Sequence, residues 1–211
     1  MENFIWNPGT LLETSGYYWR TCTLHAAVRL DIFTVIGTGG KTARQVSDEL
    51  KADLRGLTML LNALSALQLL KKDGEIYLNT EPAEMFLSKS SETYTGFMIM
   101  HHYHLLESWH HMPEGILSGK PTWERSSFSD EERRESFLMG MFNEFILDDT
   151  FDRPLFPALF SLNMFLGTPQ GQSYSQQQLS DMLTAFGCTD ITRHSFVGPT
   201  QSGILSAKTA D

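Results

Sequence analysis

Leu24, Ala27, Val28 and Phe33 fall at helical spacing within the stretch 11–36, which stops at the glycines of GTGG, Gly37 to Gly40. The pattern predicts one long helix over Leu11–Ile36, opened by the turn NPGT and closed by glycine. Thr42 followed by Gln45 is a capping-box pair, so ARQVSDEL reads as a second helix. Leu54, Leu57, Leu60, Leu61, Leu64, Leu67 and Leu70, with Met59, Ala63 and Ala66, predict a third from Asp53 to Leu70. Its apolar positions run nearly all the way round, the pattern of a helix enclosed by protein. An Asp73-Gly74 turn then leads into a short strand, Ile76–Leu78, and helical spacing resumes from Pro82 to Leu117.

Further along, GILSGKPTW from Gly115 to Trp123 reads as a loop, and DEERRESFLMGMF from Asp130 to Phe142 as a helix. The latter meets EFILDD, a compact apolar run starting at Glu144 that reads as a strand, with no turn between them. PLFPALFSLNMFLG (Pro154–Gly167) and SQQQLSDMLTAFG (Ser175–Gly187) are helical, the second with a Ser175/Gln178 capping box and a glycine stop. Asp190–Val197 and Gly203–Lys208 are strand candidates. The fold class expected is mainly α, with too little parallel sheet for a complete nucleotide-binding domain.

Helix, helix, turn and strand in that order is a winged-helix arrangement, which raises DNA binding. The would-be reading helix argues against it, because Arg55 is its one cation before Lys71 and Lys72. A net charge of -9 and a pI near 5.2 point the same way, since non-specific nucleic-acid affinity comes from basic residues. A winged helix this apolar is better explained as an interface. Cys22 and Cys188 lie far apart without a CxxC pair and read as buried thiols. No apolar run reaches the roughly 20 residues that span a bilayer, and MENFIWNPGT lacks a leader pattern, so a cytoplasmic location is expected.

The densest chemistry lies in HHYHLLESWHH, with five histidines between His101 and His111. His104 and His111 share a face but stand two turns, about 10 Å, apart, so they cannot meet one ion, and no acid or thiol completes a metal set. Lining a polar-aromatic pocket, or pairing in a helix interface, fits these side chains better. GILSGKPTW lacks the spacing of a phosphate loop and the strand before it.

AAVRLDIFTVIGTGGKTARQVSDEL, LTMLLNALSALQLLKKDGEIYLNT, HYHLLESWHHMPEGILSGKPTW and SFLMGMF resemble the N-terminal dimerisation domain of S-adenosylmethionine-dependent O-methyltransferases, the plant caffeate type and its bacterial relatives. EFILDD, LNMFLGTPQGQSYSQQQLSDMLTAFGCTDI and FVGPTQSGILSAKT resemble the last part of the same family's catalytic domain. The resemblance implies a winged-helix-like dimerisation and acceptor-pocket domain at 1–143, then a remnant α/β segment of a Rossmann-like methyltransferase domain at 144–211. It also implies a homodimer through the N-terminal helices and a small hydroxylated or aromatic metabolite as ligand. Phe137, Met141, Asn163 and Met164 are placed near that acceptor, with Tyr18, His101 and His104 as weaker candidates.

The family's glycine-rich DxGGGxG-type loop and its His base have no counterpart in this sequence, as though most of the cofactor-binding core were excised between Asn143 and Glu144. Methyl transfer from a sulfonium needs the cofactor at near-attack distance and a base for the phenolic proton. No residue is therefore assigned as catalytic or cofactor-binding, and the chain is expected to bind no S-adenosylmethionine and to be inactive in this shortened form. The alternative is a non-catalytic dimerisation or small-ligand-binding module.

Overall fold

A computed structural model describes residues 5–122, 145–194 and 203–209. They are mainly helical with two small sheets, and they fall into two compact units divided between His104 and Leu105.

In the first unit, α1 (Pro8–Arg29) begins where Asn7 accepts the backbone N–H groups of Gly9 and Thr10, with Pro8 pre-set for the first turn. The predicted single helix to Ile36 is broken: Asp31 takes a left-handed conformation (φ 57°) before α2 (Ile32–Ile36), and its carboxylate accepts the Thr34 hydroxyl at 2.6 Å. Strand β1 (Lys41–Thr42) runs straight into α3 (Ala43–Leu50), whose Thr42/Gln45 capping box forms as predicted.

Helix α4 (Leu54–Ala66) is capped by Asp53, which accepts the Gly56 N–H at 2.7 Å. It stops short of Leu70, because Gln68 turns left-handed (φ 60°) and Leu70 enters β2 (Leu70–Asp73). It is also not enclosed: Leu57, Leu61 and Leu64 are buried while Met59 is 56% exposed.

Strand β2 pairs antiparallel with β3 (Ile76–Asn79) across a two-residue turn whose Gly74 has positive φ, and β1 completes the order β1-β3-β2. Gly40, also at positive φ, leaves no room for a Cβ, which would sit 2.7 Å from Leu78. The core gathers Val28, Ile32, Phe33 and Ile36 with Val46, Leu61, Leu64, Leu70 and Tyr77. Two polar ties cross it. The Tyr77 hydroxyl donates to Asn62 at 2.8 Å, and the Asn79 amide donates to the Phe33 carbonyl at 2.7 Å.

The helical pattern from Pro82 to Leu117 resolves into three helices, α5 (Glu81–Leu87), α6 (Gly96–His110) and α7 (Met112–Ser118). Between α5 and α6, hydroxyls take over the backbone's bonding: Ser91 donates to the Met85 carbonyl and Thr95 to that of Phe86. The division into units falls within α6.

In the second unit, α7 includes Gly115–Ser118 of the predicted loop, which starts only at Gly119 (φ 65°). The EFILDD strand reduces to one parallel bridge, Leu147 with Ser175, because Leu147 exchanges bonds only with Tyr174 and Gln176. Ile146 and Leu147 are nonetheless buried. The Phe145 ring lies 5.1 Å from Phe156 and 4.3 Å from Phe160 on α8 (Leu155–Gly167).

Helix α9 (Gln176–Ala185) carries the predicted Ser175/Gln178 capping box, and Asp149 accepts the Gln177 N–H at 2.8 Å at the same end. Strands β4 (Cys188–His194) and β5 (Ile204–Thr209) pair antiparallel with an irregularity between Thr189 and Thr192. Neither cysteine is buried, contrary to the sequence reading: Cys22 is exposed on α1 and Cys188 is half-buried at the start of β4.

Candidate functional site

The acceptor-site residues expected from the sequence divide by unit. Asn163 and Met164 are half-buried on α8 in the second unit. The Asn163 Oδ1 accepts the indole N–H of Trp109 from α6 at 2.9 Å. The Met164 carbonyl accepts both the backbone N–H and the hydroxyl of Thr168, at 3.0 and 2.9 Å, and so closes the end of α8.

Tyr18, His101 and His104 belong to the first unit. Tyr18 is 59% exposed on α1, edge-on to Trp19 at 6.0 Å. His101 and His104 are half-buried one turn apart on α6, and the His104 ring meets Tyr103 edge-on at 5.4 Å. Phe137 and Met141 lie outside the described residues, as does the junction Asn143-Glu144.

Trp109 is the residue that sequence reading passed over. It sits among the histidines of HHYHLLESWHH, and a buried indole N–H usually finds a hydrogen-bond acceptor. Its neighbour Ser108 is 5% exposed and its carbonyl accepts the Thr122 hydroxyl at 3.3 Å. Gly115 on α7 lets that helix close on α8, since a Cβ there would lie 2.8 Å from Thr122 and 3.2 Å from Leu166.

A second cluster was also missed. His25 on α1 is 3% exposed, its Nδ1 has no hydrogen-bond partner among the described residues, and its ring is edge-on to Tyr103 at 6.0 Å. The Arg29 guanidinium lies 5.1 Å above the same Tyr103 ring. Burial lowers the His25 pKa below its ordinary 6.5, and the charge of a protonated His102 lowers it further.

Two open clefts accompany these groups. One, in the first unit, is lined by Lys89, Tyr94, Phe97 and Met98, with Lys89 paired to Asp31 at 3.4 Å. The other, in the second unit, is lined by Glu107, His111, Glu114 and Lys120. Among the described residues no group of three or more His, Cys, Asp or Glu side chains can hold a metal ion. None of their helices is long and apolar enough to cross a membrane.

Residues 12–89 match the O-methyltransferase dimerisation domain. The chain is 29% identical over 128 residues to an N,N-dimethyltransferase of Streptomyces rimosus, OxyT, covering 61% of this chain and 36% of that protein. It is 28% identical over 141 residues to a 3-hydroxy-5-methyl-1-naphthoate 3-O-methyltransferase of Streptomyces sahachiroi, covering 64% and 41% respectively. The matched part thus spans well under half the length of these curated relatives. An O-methyltransferase family protein from Burkholderia thailandensis has the same fold, with a TM-score of 0.83 at 16% identity over 98% of this chain and 99% of that one.

The family's methyl donor can be tested against the residues present. A nucleotide cradle of this class forms at the carboxyl edge of adjacent parallel strands followed by a glycine-rich turn. Among the described residues parallel pairing is the single Leu147–Ser175 bridge, and β4–β5 is antiparallel. The described residues form no cradle of this kind.

Proposed function

We propose, from a chain whose residues 12–89 carry the O-methyltransferase dimerisation domain, a homodimeric protein of methyl-transfer ancestry that holds a small oxygenated aromatic metabolite. The intact family moves a methyl group from S-adenosylmethionine to a hydroxyl; this chain supplies the dimer surface and part of the acceptor wall without turning over. The observation that carries the reading is the row of large apolar residues left open on α1: Leu12 is 74% exposed, Tyr18 59% and Trp19 67%. Leu11 and Tyr18, like Leu12 and Trp19, stand seven residues apart, so the row forms one stripe about 100° wide, the width of a face meant for burial. A second copy meeting it across a two-fold axis covers the same patch on both chains.

Asn163 and Met164, with Phe137 and Met141 from the preceding segment, are the acceptor contacts this reading assigns, and Tyr18 is the residue an α1 interface would bring against the partner. The aromatic character of the ligand follows the naphthoate substrate named for the Streptomyces sahachiroi relative.

The test incubates the full chain with 1-naphthol and S-adenosylmethionine while its assembly state is followed by sedimentation. A dimer that binds 1-naphthol and releases no methylated product is expected. Saturable methyl transfer would replace the non-catalytic part of the reading with an active enzyme. A monomer without aromatic affinity would remove it altogether.

A further inference from the structure

The hydrogen bond from Trp109 to Asn163 fixes more than a helix contact. An indole N–H is a donor and nothing else, so the atom of Asn163 facing it at 2.9 Å must be the carboxamide oxygen. The usual ambiguity between the two ends of an asparagine amide is thereby removed by chemistry. The –NH2 end is turned away from the indole, and it has no hydrogen-bond partner among the described residues. The neighbouring Ser108 is buried with its carbonyl bonded to Thr122, and Gly115 brings α7 against Leu166 of α8. The two partners are 54 residues apart, so the bond is made by the fold of the unit and not by local sequence.

We infer that Trp109 is a positioning residue that locks Asn163 as a hydrogen-bond donor, and so makes the acceptor pocket select aromatic ligands presenting an oxygen acceptor over ligands presenting only a donor. The inference rests on the reading of Asn163 as an acceptor contact. A hydroxyl, phenolate or ring carbonyl satisfies the outward amide N–H groups. An arylamine of the same shape leaves donor facing donor, which forfeits the bond and desolvates both groups. Without the indole, the amide rotates by half a turn at little cost and serves either ligand.

The test uses one pair of probes, 1-naphthol and 1-naphthylamine, binding to the full chain by calorimetry. Wild type is expected to prefer the naphthol by about tenfold, the size of one hydrogen bond at a half-exposed site. Trp109→Phe is expected to bring the ratio close to one by raising naphthylamine affinity about tenfold while leaving naphthol affinity nearly unchanged. A purely structural role for Trp109 would weaken both probes alike and keep the ratio. Trp109→Met, which also lacks the N–H that orients the amide, should likewise bring the ratio close to one, and it carries the test if Trp109→Phe does not fold.

An unchanged ratio in Trp109→Phe, or in Trp109→Met where the first variant does not fold, overturns the inference and leaves the pocket reading standing. If neither probe binds wild type, or Asn163→Ala leaves both affinities unchanged, the pocket reading fails and the inference falls with it.

Discussion

Replacing Trp19 by alanine removes the largest side chain of the α1 stripe without touching the core. Trp19 is 67% exposed, whereas the core of the same unit lies with Val28, Ile32 and Phe33. An aromatic side chain presents roughly 150–250 Å² for burial, so about 130 Å² of Trp19 is open to a partner, worth about 3 kcal/mol at 25 cal/mol per Å². Two-fold symmetry counts the residue twice, and allowing for coverage of only half the open area returns the loss to about 3 kcal/mol per dimer. The dimer dissociation constant should then rise by at least about 100-fold. Sedimentation equilibrium across a wide concentration range reads this directly, with circular dichroism confirming unchanged helicity. A variant whose midpoint moves less than about threefold, or a wild type that is monomeric throughout, would refute the placement of the interface on α1.

Leu61→Ala empties a fully buried position on α4 and should cost about 2–5 kcal/mol in urea unfolding; a loss below about 1 kcal/mol would mean the core collapses around it. Thr42→Ala removes the hydroxyl that accepts the Gln45 N–H, one half of the α3 capping box, and should cost about 1 kcal/mol, read in the same assay. His25, held neutral in the fold below its ordinary pKa of 6.5, contributes stability that is complete above pH 6.5. Below that pH the unfolded chain takes up a proton at His25 that the native state refuses, so stability falls until the lowered native pKa is reached. His25→Asn should flatten that slope in melts between about pH 7 and 5, and an unaltered slope would assign the acid sensitivity elsewhere.

The capping boxes at Thr42 and Ser175 were legible because each is a four-residue pattern whose hydrogen bonds close locally. Helix ends set by left-handed residues were not. Asp31 and Gln68 both take positive φ, and each stops a helix where no glycine or proline gives warning. The backbone there is held by surroundings: Asp31 by the Thr34 hydroxyl and Lys89, Gln68 by the turn that delivers Leu70 to β2. EFILDD failed for a related reason. An apolar run has the propensity of a strand, but a ladder exists only as far as a neighbour pairs with it, and here that neighbour is Ser175 alone among the described residues. Asn163 was reachable through family resemblance. Trp109 was not, because its significance lies in one bond to a residue 54 positions away.

One mismatch between pattern and structure carries information of its own. The periodicity of α4 runs nearly all round the helix, yet the chain buries Leu57, Leu61 and Leu64 and leaves Met59 56% exposed. On α1 the apolar residues of the first turns stay open while His25, Ala27 and Val28 are covered. A sequence encodes all the surfaces its protein must bury, including those buried by another molecule, whereas a single chain shows only the ones it covers itself. The surface left after subtracting one from the other is open to a partner; here it includes the α1 stripe, on the unit that matches a dimerisation domain, and also Leu117 and Phe186 of the second unit, 88% and 86% exposed. On the proposed dimer reading two observations agree: residues 12–89 match a dimerisation domain, and the exposed apolar side chains of α1 mark a face that a second copy would cover. The stripe at Leu12, Tyr18 and Trp19 is accordingly where a substitution should separate assembly from folding, since its side chains add little to the core within the chain.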